Sequence, residues 1–173
     1  MKRAGLLFVG LLFAVSCGSS SSTTGPTGTK PTFTATLLPA NEVTAVVGGE
    51  AAGSGNVTVT FDTTTNSAGQ VTAATATFVV NLTGFPPGTN INLAHIHQGA
   101  SGCVCPVVIS TTLTASDQVQ TTSAGSITFV RSSVPAGADV VQGIINNPSG
   151  YYFNVHSTNN PQGVARGVLA RVQ

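Results

Sequence analysis

Hydrophobic and polar residues alternate along most of the chain beyond residue 30. In the first such stretch, Phe33, Ala35 and Leu37 are separated by threonines. Because successive side chains of a β-strand point to opposite faces, this alternation predicts strands with one buried and one exposed face. Residues that favour turns, mainly glycine, proline and asparagine, separate the stretches. Strands are predicted over residues 32–37, 57–61, 71–82, 90–98, 104–113, 126–130, 151–156 and 164–172.

One segment departs from the alternation. Four aliphatic residues between positions 140 and 145 recur at helical spacing, and Asn146-Asn147-Pro148 follows them. Since proline cannot continue a helix, the pattern predicts a helix of roughly two to three turns from Asp139 to Asn146. Many short strands with one short helix predict an all-β fold, an antiparallel sandwich of the Greek-key or immunoglobulin-like kind.

Composition and charge narrow the classes of function. Charged residues make up 6% of the chain, against roughly 25% in typical soluble proteins. Six Lys and Arg residues are balanced by five Asp and Glu residues, and no basic cluster exists beyond Lys2-Arg3. Nucleic-acid binding, which needs a basic surface, is therefore excluded. A length of 173 residues suits one domain that closes its own hydrophobic core.

The N-terminal residues have the pattern of an export signal. Lys2-Arg3 precedes an apolar run that ends in small residues before Cys17. This ending resembles the lipobox of bacterial lipoproteins, although Ala14 stands in place of the usual leucine. The resemblance implies that Cys17 becomes the lipidated first residue of the mature chain. We therefore predict a signal peptide at residues 1–17, with ordinary signal cleavage near Ser16 as the alternative.

The segment after Cys17 has the composition of a flexible tether. Residues 18–31 contain only Gly, Ser, Thr and Pro apart from Lys30. We predict that this tether connects a lipid anchor to a folded domain at residues 32–173. Gly18, rather than Asp, after the cysteine predicts the outer membrane if the cell has one. The expected location is therefore the cell envelope, with the membrane as a partner through the lipid.

All three histidines of the chain lie in predicted strands. His95 and His97 are two residues apart, so a strand directs both imidazoles to one face, with Cα atoms about 6.6 Å apart. His156 lies on the polar side of its strand, and we predict that it joins the other two if the strands are neighbours. Three imidazoles can bind copper or zinc with one position left open. The alternative is structural: hydrogen bonds to loop backbone that hold a corner of the sandwich together.

The residues around the histidines raise two further questions. If Ile96 points to the core, the strand histidines point away from it, but Ile91 and Leu93 then share the histidine face. Either a β-bulge intervenes or the outer face is partly covered. Gln98 and Asn154 are candidates for orienting an imidazole by a hydrogen bond. The alternative for both is ordinary polarity of a turn or an edge.

Two cysteines follow the histidine strand closely. Cys103 and Cys105 come directly after the turn Gly99-Ala100-Ser101-Gly102. In an exported protein with Cys17 lipidated, they are the remaining pair of thiols, and an oxidised state is expected. We therefore predict a disulfide between them. Thiolate ligation of Cu(I) beside the histidines is the alternative, because soft sulfur ligands select that metal.

Four motifs extend over the predicted domain. They are Leu38-Pro39-Ala40-Asn41-Glu42-Val43, Ala94-His95-Ile96-His97-Gln98-Gly99, Tyr152-Phe153-Asn154-Val155-His156-Ser157 and Asn160-Pro161-Gln162-Gly163-Val164-Ala165-Arg166-Gly167. Together they resemble the CHRD domain, named after chordin and common in bacterial secreted proteins, over about residues 32 to 172. The resemblance implies a β-sandwich and little about activity. Chordin is an extracellular binder of growth factors, but that role belongs to a multi-domain animal protein and is not transferred to a single tethered domain.

Glu42 and Arg166 belong to these motifs and are among the few charges of the domain. Because an unpaired internal charge is costly, we predict that they form a buried or half-buried ion pair. The paired histidines and the glycine-rich last strand are also similar to the copper/zinc superoxide dismutases. Three histidines are too few for the copper site of that family plus a zinc site joined by a bridging imidazole, so the dismutase reaction is not implied.

These features favour a non-enzymatic surface binding module with a copper or zinc site at His95, His97 and His156. The alternatives are a redox enzyme that uses the metal and a structural or adhesive envelope module without metal. The sequence contains no motif for a serine nucleophile, no phosphate-binding loop and no paired carboxylates. It also offers no obvious proton donor beside the histidines, and no catalytic residue is predicted.

Overall fold

The computed structural model describes residues 30–117 and 119–172, together with Met1. These residues form two antiparallel β-sheets and one α-helix. The prediction of an all-β sandwich with one short helix is confirmed. The elements are β1 (Thr32–Leu37), β2 (Ser54–Thr65), β3 (Val71–Thr83), β4 (Asn90–Gln98), β5 (Val107–Ser110), β6 (Val119–Gln120), β7 (Ile127–Ala136), α1 (Ala138–Asn146), β8 (Tyr151–Ser157), β9 (Ala165–Val168) and β10 (Ala170–Arg171).

Within the described residues each sheet has five strands, and strands that are consecutive in the chain do not always join the same sheet. The first sheet has the order β10-β1-β2-β3-β7, and the second has the order β5-β4-β8-β9, with β6 paired to the start of β4. β2 and β3 form a long hairpin that pairs from Ser54 and Thr83 to Thr65 and Val71. An isolated bridge between Leu38 and Arg166 connects the end of β1 to β9, and so joins the two sheets at a corner.

The inner faces of the two sheets meet in one hydrophobic core. Phe33 and Phe61 of the first sheet make an edge-to-face contact, with ring centroids 5.8 Å apart. Phe78 packs against Phe153 of the second sheet at the same centroid distance, 5.8 Å. All four side chains are fully buried. In the first sheet, the threonines next to Phe33, Phe61 and Phe78 point to the outer face, as the period of two requires.

The helix packs against the start of β3. Val141 and Ile144, which lie one helical turn apart, are fully buried. The side-chain oxygen of Gln142 accepts a hydrogen bond from the backbone N–H of Val71 at 3.0 Å. The helix begins one residue earlier than predicted and ends at Asn146, as predicted.

The strand predicted at residues 104–113 is shorter in the structure, where β5 covers Val107–Ser110. Pro106 has no backbone N–H with which to extend the pairing in one direction. Thr112 has a φ of 62°, which ends the extended conformation in the other direction. Local backbone chemistry therefore overrides the apolar pattern at both ends.

The strand predicted at residues 126–130 is longer, since β7 continues to Ala136. Its pairing with β3 shifts register between Ala76 and Phe78, and Ser133 has a φ of 56°. This irregularity disturbs the alternation and hides the second half of the strand. Pro135 is tolerated because β7 lies at the edge of its sheet.

The strand predicted at residues 164–172 is divided between the two sheets. β9 pairs with β8 in the second sheet, and β10 pairs with β1 in the first. Between them Leu169 is 1% exposed, and its N–H donates to the carbonyl of Tyr151 at 3.0 Å. A hydrophobic pattern does not specify which sheet a strand joins, so this crossing is not visible in the sequence.

The N-terminal predictions lie outside the described residues. Residues 2–29 include the predicted signal peptide, Cys17 and most of the predicted tether. The first described strand, β1, begins at Thr32. Within residues 30–117 and 119–172, no helix is long and apolar enough to cross a membrane.

Candidate metal centre

The histidine face is the outer face of the second sheet. Ile96 is fully buried between its two histidine neighbours, so His95 and His97 point outward from the core. The pairing of β4 with β8 shifts register between Ile91 and Leu93. This β-bulge buries Ile91 and leaves Leu93 43% exposed. Of the two explanations that the sequence left open, the bulge accounts for the position of Ile91.

The strand β8 brings the third histidine to the same face. β8 pairs with β4, and His156 lies opposite Leu93 in the register. The potential ligand nitrogens of His95, His97 and His156 all lie within 4.8 Å of one another. His95 Nε2 and His156 Nε2 are 2.9 Å apart. The structure therefore brings together all three histidines of the chain.

Two backbone carbonyls determine which ring nitrogens face the centre. His97 Nδ1 lies 2.5 Å from the carbonyl oxygen of Cys105, and His156 Nδ1 lies 2.9 Å from that of Pro161. A carbonyl only accepts, so both Nδ1 atoms carry the proton and both Nε2 atoms present a lone pair. His95 Nε2–H therefore donates to His156 Nε2.

His97 Nε2, the second ring nitrogen of this histidine, has no hydrogen-bond partner among the described residues. This nitrogen is also buried. A buried acceptor without a partner carries a desolvation cost of about 1–3 kcal/mol. A metal ion bound at this point would satisfy it. Imidazole nitrogens bind zinc at about 2.0–2.1 Å, and small rotamer changes would bring the three nitrogens, which lie within 4.8 Å of one another, to a common ion.

The surroundings keep the three imidazoles neutral. Burial lowers the pKa of His95 from 6.5 to about 3, and repulsion from Arg166 and from either of the other two histidines when protonated acts in the same direction. Burial also lowers the pKa of His97 and His156, while their hydrogen bonds to backbone carbonyls act the opposite way. Neutral imidazole is the form that binds a metal ion, so the site is in its ligand state at neutral pH.

A column of stacked side chains supports His97. The Tyr152 ring is fully buried and lies parallel to the imidazole, with centroids 4.6 Å apart and an interplanar angle of 9°. The guanidinium of Arg166 also lies over the Tyr152 ring, 4.8 Å from its centroid. The Tyr152 hydroxyl donates to the carbonyl of Cys103 at 2.9 Å. Tyr152 therefore fixes the position of a candidate ligand without contributing one itself.

Arg166 and Glu42 are in direct contact. Arg166 Nε donates to Glu42 Oε2 at 2.6 Å, and the two side chains are 3% and 1% exposed. Burial raises the pKa of Glu42 to about 7, although the charge and hydrogen bond of Arg166 act in the opposite direction. Arg166 also donates through Nη1 to the carbonyls of Ser101 and Cys103, at 3.0 and 2.9 Å. The arginine thus connects the first loop of the domain to the segment beside the histidines.

The remaining predicted residues have different positions. Cys103 and Cys105 form a disulfide in the structure. The Asn154 side chain is 1% exposed and lies opposite His95 in the register, with its Oδ1 unpaired among the described residues. Gln98 is exposed at the end of β4. Asn154 therefore borders the histidine cluster, whereas Gln98 does not orient a ring through any hydrogen bond of the described residues.

Sequence reasoning missed Glu50, a buried carboxylate that supports the turn after His156. Glu50 is 2% exposed and accepts hydrogen bonds from Ser157 Oγ at 2.5 Å, Asn159 Nδ2 at 2.9 Å and Asn160 Nδ2 at 2.6 Å. Its partners are more than 100 positions away in the chain, so no local pattern connects them. The one available signal was an acid within the apolar, glycine-rich stretch 43–53.

Comparison with known proteins assigns the family. No curated protein matches the chain. The model of the CHRD domain family matches residues 33–169, a span that contains all three histidines, both cysteines of the disulfide and the Glu42–Arg166 pair. Because this match covers most of the chain, the protein belongs to the CHRD domain family.

Proposed function

We propose that this CHRD domain is an exported binding module that holds one copper or zinc ion through His95, His97 and His156. The observation that carries the proposal is the convergence of their ring nitrogens within 4.8 Å. Two Nδ1 protons are committed to backbone carbonyls, which leaves the Nε2 lone pairs for a metal. Three neutral nitrogen ligands suit copper or zinc, and an ion bound by three ligands retains an open position.

The surrounding groups favour binding over hydrolysis. A hydrolytic metal site needs a base that activates a bound water, and a carboxylate or a histidine usually supplies it. The two buried carboxylates are engaged elsewhere, Glu42 with Arg166 and Glu50 with the turn after β8. Asn154 is a neutral amide beside His95. An amide can hold a bound water but does not act as a general base.

A zinc titration of the purified chain tests the proposal. We expect about one ion per chain, measured by calorimetry and by metal analysis after dialysis. Because the pKa values of the three histidines are lowered, binding should persist below pH 6.5 and weaken as the pH falls further, towards about 3 for His95. His97→Ala should lower zinc affinity more than Cys103→Ala does. Gln98→Ala is the matched control, because Gln98 neighbours His97 and is exposed. A triple histidine-to-alanine variant that binds zinc as tightly as the wild type would contradict the proposal.

We also propose that the domain is anchored to the cell envelope through lipid on Cys17. The support is the sequence pattern of residues 1–17 and the linker composition of residues 18–31. Growth of expressing cells with a clickable fatty acid should label the wild-type chain and not Cys17→Ala. Equal labelling of the two proteins would contradict lipid attachment at this cysteine.

A further inference from the structure

A short loop between β4 and β5 lies against the histidine cluster. This disulfide loop, residues 99–106, carries the Cys103–Cys105 bond. Gly99 has a φ of 145°, and a Cβ at this position would collide with the Sγ of Cys105. The backbone N–H of Gly99 donates to the carbonyl of Gly150 at 2.8 Å. The disulfide therefore packs directly against the residue that follows the histidine strand by one position.

Backbone atoms of the disulfide loop bind three side chains at the candidate site. The carbonyl of Cys105 accepts the Nδ1 proton of His97 at 2.5 Å. The carbonyl of Cys103 accepts from both the Tyr152 hydroxyl and Arg166 Nη1, each at 2.9 Å. The N–H of Cys105 also donates to the Tyr152 hydroxyl at 3.3 Å. Both cysteines thus contribute main-chain contacts that fix His97 and the ring stacked on it.

The disulfide loop is held by its disulfide and by hydrogen bonds from His97, Tyr152 and Arg166, with little hydrophobic burial to support them. None of its residues is buried, and Val104, between the two cysteines, is 78% exposed. Hydrophobic burial therefore stabilises the loop only weakly. The bond between Cys103 and Cys105 is its covalent restraint, and both cysteines are partly exposed to solvent and so to a reductant.

We propose that the Cys103–Cys105 disulfide controls the metal affinity of the histidine cluster by holding the carbonyl that orients His97. This inference rests on the proposed metal site. A dithiol reductant would transfer two electrons and two protons to the disulfide, giving two thiols, and would itself be oxidised to its own disulfide. Without the disulfide, the Cys105 carbonyl is no longer held beside His97 Nδ1. The proton is then no longer fixed on this nitrogen, and the imidazole loses its single tautomer.

The expected effect is a lower affinity for the metal. Removing a group that orients a metal-binding imidazole typically lowers affinity by about 10–100-fold. We therefore expect the oxidised protein to bind zinc about 10–100-fold more tightly than the same protein without the disulfide. The oxidised, exported form would be the metal-binding form.

The test compares four forms of the full-length chain, each carrying Cys17→Ser so that no other thiol is present. They are the oxidised protein, the protein reduced with dithiothreitol and desalted without oxygen, Cys103→Ala/Cys105→Ala, and Val104→Ala. Zinc is the probe, because thiols do not reduce it. Long-range ¹H–¹⁵N NMR of the metal-free imidazoles reports which nitrogen of His97 carries the proton. Val104→Ala is the control that changes the loop but retains the disulfide.

We expect the reduced protein and the double alanine variant to show weaker zinc binding and a mixture of His97 tautomers, with Val104→Ala unchanged. Equal zinc affinity and an unchanged His97 Nδ1 proton in all forms would overturn the inference alone. Tighter zinc binding in the reduced protein, absent from the double alanine variant, would also overturn it, because the thiolates would then be ligands. If the oxidised protein bound no zinc, the proposed function would fail, and the NMR comparison would still decide whether the disulfide orients His97.

Discussion

Glu50 shows how a single side chain can organise a distant part of the site. It accepts hydrogen bonds from the side chains of Ser157, Asn159 and Asn160. The carbonyl of the next residue, Pro161, accepts the Nδ1 proton of His156. The buried carboxylate therefore stabilises the turn that sets the tautomer of the third histidine.

Glu50→Gln is the sharpest test of this arrangement. The amide keeps the size of the carboxylate but turns an NH₂ group towards donors, so at least one hydrogen bond is lost. We expect the free energy of unfolding to fall by about 1–3 kcal/mol in urea titrations, and the His156 NMR signals to lose the single Nδ1–H tautomer. Asp62→Asn is the matched control, because Asp62 pairs with Lys30 at an exposed position and exposed pairs contribute about 0–1 kcal/mol. An equal loss of stability in both variants would contradict the role of Glu50.

The histidine cluster could be anticipated at the residue scale because its members share a simple geometric rule. Spacing of two in a strand places His95 and His97 on one face, and the polar side of β8 supplies His156. Tyr152 and Glu50 could not be anticipated in the same way. Their roles depend on which loop folds over the sheet, and that is decided by contacts between residues far apart in the chain.

Among the strands, β8 is buried on both faces. All of its residues, Tyr151–Ser157, are buried, although alternate positions carry polar side chains. Its inner face packs in the core, and its outer face is covered by the disulfide loop, Arg166 and the turn after β8. The alternation in the sequence correctly indicates which side chains face the core. The alternation does not indicate that the polar face of β8 is covered as well.

The burial of β8 predicts a large effect of truncating its core aromatic. Phe153 is fully buried and packs on Phe78, so Phe153→Ala should lower the free energy of unfolding by about 3–5 kcal/mol. Val130→Ala is the matched control in the first sheet, because Val130 is 51% exposed and surface changes are usually within about 0.5 kcal/mol. Denaturant titrations of both variants measure the difference. Similar values for the two would mean that β8 is not central to the core.

Strand boundaries were the less predictable part of the fold. The prediction failed where backbone chemistry interrupts a favourable pattern, as at Pro106 and Thr112 around β5, and where an irregularity hides a strand, as at Ser133 in β7. These features act through φ angles and missing N–H groups rather than through hydrophobicity. The type of the main elements depends on longer stretches of pattern and was predicted well, whereas β6 was not predicted and β9 and β10 were predicted as one strand.

For the whole molecule, the titrating groups make stability depend on pH. In the metal-free protein the pKa of each histidine is lowered, so the stability that they contribute is present above pH 6.5 and is lost as the pH falls, towards about 3 for His95. Glu42 makes stability depend on pH in the opposite direction. Its pKa is raised from 4.5 to about 7, so its contribution is complete below pH 4.5 and is lost as the pH rises through about 7.

Urea titrations of the metal-free protein between about pH 3 and 8 test both of these pH dependences of the free energy of unfolding. His95→Asn should weaken the loss of stability on acidification, because it removes a histidine whose pKa is lowered to about 3. Glu42→Gln should weaken the opposite trend between pH 4.5 and about 7. A His95→Asn protein whose stability falls with acid as steeply as that of the wild type would contradict the assignment of this dependence to the histidine cluster.

The position of β1 has a mechanical consequence for a domain attached at its N-terminal side. β1 is flanked by β2 along its whole length and by the short β10, and Leu38 at its end is bonded to β9. A pulling force directed along the axis of β1 would load these hydrogen bonds together in shear instead of opening them one after another. If the domain is anchored as we propose, the first strand to bear the load is therefore one that β10, from the other end of the described chain, helps to hold.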